Sequence, residues 1–176
     1  MRSSFQTELD LTADRIDLPA WLGILSDRDY QACSPDHIAA GTFYEDGIFG
    51  SVNVESVGGH LLVHHYLAEA ASPRRIVMHS RNTRVYLLHT VPATIEVIWT
   101  LEVERKDSRS SLFRCTVEVR LPALLALLGR VTLLPHFLRR HVQGETPLFA
   151  ADLARKVASG RLGAPAQSVR AAGGMA

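Results

Sequence analysis

His141 and Glu145 stand four residues apart in a stretch with helical periodicity, a spacing that puts both side chains on one side of a helix. A carboxylate beside an imidazole fixes the ring so that it can take or give a proton near neutral pH. If Leu134 to Val157 is one helix, Leu134, Leu138, Val142, Phe149 and Leu153 form an apolar stripe, and the His141 and Glu145 positions fall inside it. A polar couple on the core-facing side of a helix is either the chemical end of a cavity or a structural pair that satisfies itself, and the residues leave both readings open.

Other side chains compete for the same role. His64 and His65 are neighbours on a strand and must point to opposite faces. Leu61, Val63, His65 and Leu67 form the more apolar set, which directs His65 inward as a further proton-transfer candidate and His60, His64 and Tyr66 outward. His79 and Arg81 share a face with Val77, while Ile76 and Met78 mark the other face as the core side. In the opposite register His79 and Arg81 would bind an anionic or carbonyl-bearing ligand, with Arg81 steadying a developing oxyanion. Trp99, Tyr86, Phe113, Phe137 and Phe149, with Val97, are candidates to line a pocket or simply to fill a core.

Several chemistries lack their signatures. No HExxH, no cysteine pair and no two-histidine-plus-carboxylate spacing supports a metal site, so no metal is expected despite eight histidines. His60 and His64 share a strand face but stand about 13 Å apart at the usual rise, too far to hold one ion. Gly47, Gly50, Gly58 and Gly59 fall between strands and do not make a phosphate loop. Gly-x-Ser-x-Gly is absent, and no cofactor is expected.

The chain of 176 residues, 47% hydrophobic with a net charge of +1, has the material for one domain with a sizeable core. Its charge is uneven: residues 1 to 104 carry 7 basic and 14 acidic groups, residues 105 to 176 carry 12 and 4. The basic groups of the second half are spread along a strand and a helix without clustered exposed aromatics, which argues against nucleic acid as a partner. Cys33 and Cys115 lie far apart, and a reduced, cytoplasmic protein is expected. The longest apolar stretch, Leu121 to Leu128, is far short of the roughly 20 residues of a membrane span, and stable membrane insertion is not expected.

The elements that must position these groups are legible as alternation. From Ala93 to Val103, Ile95, Val97, Trp99, Leu101 and Val103 share one face and Thr94, Glu96, Thr100 and Glu102 the other. Leu112 to Leu121 repeats the pattern, and the two make a hairpin around Lys106 to Ser110. Phe5 to Leu11 is a first strand, followed by short helices at Leu18 to Leu25, with Asp17 as cap and Pro19 in the first turn, and at Ser26 to about Cys33. Strands follow near His37 to Tyr44, Ile48 to Val57, Leu61 to Glu69, Arg75 to Arg81 and Thr83 to Leu88. Helical character begins near Pro122 and continues to Val157, with a kink or break expected between Gly144 and Pro147. Residues 1 to 158 make one domain, and residues 159 to 176 are expected to be a frayed tail.

This order of strand, two short helices, six or seven antiparallel strands and a long C-terminal helix resembles the helix-grip fold of the START-like superfamily, also called SRPBCC, in its polyketide cyclase/dehydrase-like branch. The resemblance spans about residues 3 to 158 and is carried by Leu18-Pro19-Ala20-Trp21-Leu22, by the turn Glu69-Ala70-Ala71-Ser72-Pro73-Arg74-Arg75-Ile76, and by the helix from Pro122. It implies an α+β domain in which a curved sheet grips the long helix around a ligand cavity. The expected function is binding of a small, largely apolar organic molecule, polyketide-, lipid- or quinone-like, as a carrier. The alternative is a polyketide cyclase, dehydratase or aromatase using cavity histidines. A third reading is a regulatory or assembly protein docking through its basic half, and a homodimer is a further open partner. Buried polar residues converging on an open cavity would favour the enzyme; a purely apolar cavity would favour the carrier.

Overall fold

Alternating strands with one apolar face need a partner to cover that face, and here the partner is a single helix. The computed structural model describes residues 1–122 and 133–162. Strand β1 (Arg2–Leu9) leads through a 3-10 turn at Ala13–Arg15 into α1 (Leu18–Gly23) and α2 (Asp27–Ala32). Six strands follow, β2 (His37–Glu45), β3 (Ile48–Val57), β4 (His60–Ser72), β5 (Arg75–Leu87), β6 (Val91–Arg105) and β7 (Ser111–Arg120), and then helix α3 (Leu134–Ala158). They form one antiparallel sheet in the order β1-β7-β6-β5-β4-β3-β2.

The caps are those that the residue types call for. The Asp17 carboxylate accepts from the Ala20 amide at 3.0 Å with Pro19 in the first turn of α1, and Ser26 and Asp29 cap α2 reciprocally. Asp46 and Gly47 take positive φ at the β2–β3 turn, as a two-residue hairpin requires. At the next turn, Gly58 also has positive φ, and a Cβ there would meet the Phe137 ring of α3 at 3.0 Å. The missing side chain therefore lets the helix settle onto the turn.

Ile95, Val97, Trp99, Leu101 and Val103 of β6 are buried together with Phe113, Cys115 and Val119 of β7. Trp21 ties the short helices to both layers: its ring meets Phe113 and Phe149 edge-on, and its Nε1 donates to Asp152 of α3 at 2.9 Å. Helix α3 runs unbroken past Gly144 and Pro147. The Thr146 hydroxyl, just before the proline, donates to the Val142 carbonyl at 2.5 Å. The expected helix start at Pro122 and most of the expected tail fall on residues 123–132 and 163–176, outside the described residues.

Two expectations about strands need correction. The segments Arg75 to Arg81 and Thr83 to Leu88 are one strand, β5, interrupted by a bulge between Ser80 and Thr83. The faces of β4 are also reversed. His64, Tyr66 and Ala68 point inward and are buried, whereas His65 is exposed on the outer face and stacks on Phe43 with ring centres 4.7 Å apart. Hydropathy misleads on this strand because Leu61, Val63 and Leu67 half-cover the outer face, while the inner face carries the polar groups.

Candidate functional site

Between the inner face of the sheet and α3 lies a cavity of about 470 Å³, a size suited to a small organic ligand. Most of its wall is apolar, from Val57, Leu62, Val85, Ile95, Val97, Trp99, Val117, Val119 and Leu138. One end is different: Tyr30, Asn53, Glu55, His64, His141 and Glu145 line it together.

Each of these polar groups arrives by ordinary strand or helix geometry. Asn53, Glu55 and Val57 share the inward face of β3, and His60, Leu62, His64 and Tyr66 that of β4. His141 and Glu145 sit one helical turn apart on α3, with His141 Nε2 3.3 Å from Glu145 Oε2. His37, at the start of β2, stacks flat on Tyr30 with centres 3.8 Å apart and places its Nε2 3.2 Å from the same Glu145 oxygen. Glu55 completes the cluster: its Oε2 lies 3.5 Å from His141 Nε2 and 3.6 Å from His64 Nε2, and its Oε1 accepts from the Tyr30 hydroxyl.

A further set of contacts holds these rings and carboxylates in place. His37 Nδ1 donates to the Tyr30 carbonyl at 2.7 Å, and His141 Nδ1 to the Asp36 carboxylate at 3.0 Å. His64 Nδ1 meets the Thr83 hydroxyl at 3.1 Å, and Thr83 in turn donates to Ser80 Oγ at 2.7 Å. Both hydroxyls face inward because the β5 bulge separates them. The Cys115 thiol donates to Glu145 Oε1 at 3.4 Å and accepts from Trp99 Nε1 at 3.3 Å.

Burial and charge oppose each other throughout. Burial works to raise the pKa of Glu55, but the imidazoles of His64, His141 and His37 outweigh it and hold the carboxyl below the ordinary range. Glu145 follows the same logic, its burial overcome by His141 and His37. Burial disfavours the imidazolium of His141, yet Glu145, Asp36 and Glu55 together carry its pKa well above the usual value. Burial and then Glu55 push the Tyr30 hydroxyl far up, and burial and Glu145 do the same to the Cys115 thiol. The ligating atoms of His37, Glu55 and His141 all lie within 4.8 Å of one another.

The other sequence candidates are distributed differently. Trp99 and Val97 line the cavity. Phe113 and Phe149 are fully buried but pack in the core around Trp21 rather than on the cavity wall. Phe137 rests over Gly58, and Tyr86 points outward from β5. His79 and Arg81 lie on the outer face. His79 is wedged between Glu69 and Glu96, and Arg81 is largely exposed beside Glu69. Arg81 therefore cannot steady an oxyanion inside the cavity, nor can His65 move protons there. Tyr30, His37, Asn53 and Glu55 escaped notice in the sequence, and His64, directed outward there, faces the cavity. Their one visible signal was Asn53 and Glu55 at alternate positions of β3, which looked like an ordinary polar face.

The fold is of the helix-grip type: a seven-strand antiparallel sheet, short helices after the first strand, and a long C-terminal helix packed on the sheet. Zhui aromatase/cyclase from Streptomyces sp. R1128 superposes with a TM-score of 0.59 at 12% identity, over 89% of this chain and 95% of its own. A conserved protein from Geobacillus kaustophilus superposes with a TM-score of 0.56 at 7% identity, over 91% and 97%. The di-domain ARO/CYC BexL from the BE-7585A biosynthetic pathway gives 0.52 at 11% identity, and this chain spans 49% of its length. No protein-family model and no curated protein matches the sequence. Among the described residues, no helix is long and apolar enough to cross a membrane.

Proposed function

We propose that the protein is an enzyme acting by proton transfer on a small, largely apolar, carbonyl-bearing molecule, polyketide-like in character, held in the cavity between sheet and α3. One observation carries this reading. Three histidines and two glutamates converge at one end of a cavity whose remaining wall is apolar, an arrangement a carrier of apolar molecules does not need. The apolar wall holds the hydrocarbon body, and the carbonyl end points to the polar cluster. His64 is the proton acceptor, because it lines the cavity and its Nε2 has no hydrogen-bond partner. The structural likeness to aromatase/cyclases agrees with a cyclisation or dehydration of this kind.

The carrier remains the second reading, favoured by the extent of apolar wall around Trp99 and Val97. Native mass spectrometry of the protein from its own source identifies the retained molecule, and turnover of that molecule and of β-polyketone surrogates is then followed. The enzyme reading expects His64→Gln to bind as before and to lose about 10²- to 10⁴-fold in turnover. Binding without any turnover by the unaltered protein would leave the carrier.

A further inference from the structure

Five side chains at the polar end share one arrangement, each anchored from one side with its other polar atom turned towards the cluster. Each imidazole is oriented through Nδ1, by the Tyr30 carbonyl for His37, by Asp36 for His141 and by Thr83 for His64. The Thr83 proton goes to Ser80, so Thr83 accepts from His64 and the ring proton sits on Nδ1. With its proton at Nδ1, the His64 Nε2 presents a lone pair, whereas the Nε2 of His37 and of His141 reaches a carboxylate that holds a proton or a metal cation there equally well. The carboxylates are anchored in the same one-sided manner, Glu55 through Oε1 by Tyr30 and Glu145 through Oε1 by Cys115.

The atoms left over face one another. His37 and His141 Nε2 lie 3.2 and 3.3 Å from Glu145 Oε2, and His141 and His64 Nε2 lie 3.5 and 3.6 Å from Glu55 Oε2. An Nε2 proton on His37 or His141 bridges such a contact, and a divalent cation that displaces those protons meets the same nitrogen and oxygen atoms already turned towards one another. Metal bonds of about 2.0–2.2 Å to nitrogen and oxygen give tetrahedral edges of about 3.4 Å; the 3.5 Å between His141 Nε2 and Glu55 Oε2 matches that edge, and the donor atoms of His37, Glu55 and His141 all lie within 4.8 Å of one another. His64 Nε2 adds a second observation, being buried without any hydrogen-bond partner beside the cluster.

We propose that His37, His141 and Glu55 bind a divalent first-row transition-metal ion, with Glu145 beside both histidines and His64 flanking on the cavity side. Imidazole and carboxylate together suit zinc, iron, cobalt or manganese and disfavour magnesium and calcium, which prefer all-oxygen sites. Two buried carboxylates balance the dipositive charge. The Nδ1 contacts to a backbone carbonyl, a carboxylate and a hydroxyl are the outer-sphere partners that ligating histidines require. His37 does not line the cavity whereas Glu55, His64, His141 and Glu145 do, so the open side of the ion faces the space where a carbonyl oxygen would lie. Metal binding stands apart from turnover and is read without any organic substrate.

The test is titration of chelator-treated protein with Co²⁺ alone, followed by visible absorption. The expected result is one equivalent bound with the intense bands of a four- or five-coordinate ion, displaced by Zn²⁺ and untouched by excess Mg²⁺. Replacing His37 and His141 together by Gln weakens binding by more than about 100-fold, beyond what losing an outer-sphere partner causes. His79→Gln, on the outer face, leaves binding unchanged. Failure of the unaltered protein to take up stoichiometric Co²⁺ overturns the proposal without need of any variant, and so does equal affinity in the folded double variant.

Discussion

Oε2 of Glu55 on β3 and Nε2 of His141 on α3 stand 3.5 Å apart across the gap between sheet and helix. Both groups are largely withdrawn from water, so the pair links the two layers at the end of the cavity where apolar packing is absent. Coupling between them is expected to be about 0.5–3 kcal/mol in a double-mutant cycle. The cycle combines Glu55→Gln with His141→Gln in chelator-containing buffer and is read by urea unfolding. Additive effects would show that the two act independently.

Trp99 reports on the cavity, and Trp21 does not. Trp99 lines the cavity and donates to Cys115, whereas Trp21 is sealed in the core and donates to Asp152. An apolar probe that enters the cavity should shift the emission of a Trp21→Phe variant and leave that of Trp99→Phe unchanged. Equal responses from both variants would place the probe elsewhere.

The acid limb of stability should depend on Asp29. Its carboxyl resists burial through Lys156 and Ser26, and its pKa falls from the ordinary 3.8 to about 2. A depressed folded pKa means that the unfolded chain takes up the proton first on acidification. The contribution is therefore complete above about pH 4 and is lost as pH falls towards 2. Asp29→Asn should flatten thermal stability across that window while leaving its slope near neutrality unaltered. Lys156, almost fully buried between Asp29 at 2.9 Å and Asp152 at 2.8 Å, is the other end of this contact.

Phe149 belongs to the core. It is fully buried and packs against Trp21, Tyr30, His37 and Trp99. Phe149→Ala is expected to cost about 3–5 kcal/mol in chemical denaturation. Phe149→Leu, which keeps most of the volume, should bind cavity probes within about twofold, since hydrophobic swaps of similar size are tolerated.

Much of the architecture could be read from local patterns. The β6–β7 hairpin showed itself as strict alternation, the caps at Asp17 and Ser26 as residue types, and the His141–Glu145 couple as an i, i+4 spacing within an apolar stripe. The rest of the polar cluster is assembled only by tertiary contact. His37, Glu55, His64 and His141 sit on three different strands and a helix, with no short motif among them. The inward face of β4 was misjudged for a related physical reason: a face that carries polar groups into a cavity looks like a solvent face to any hydropathy rule.

The bulge in β5 sets the parity of everything after it. Before it the even-numbered residues Ile76, Met78 and Ser80 point inward; after it the odd-numbered Thr83 and Val85 do. Straighten this step with every residue kept and the strand would continue in its even-numbered phase. Val85 and Leu87 would then swing away from the cavity, and Arg84 and Tyr86 would occupy their places. A single extra residue thus decides whether this stretch of wall is greasy or charged.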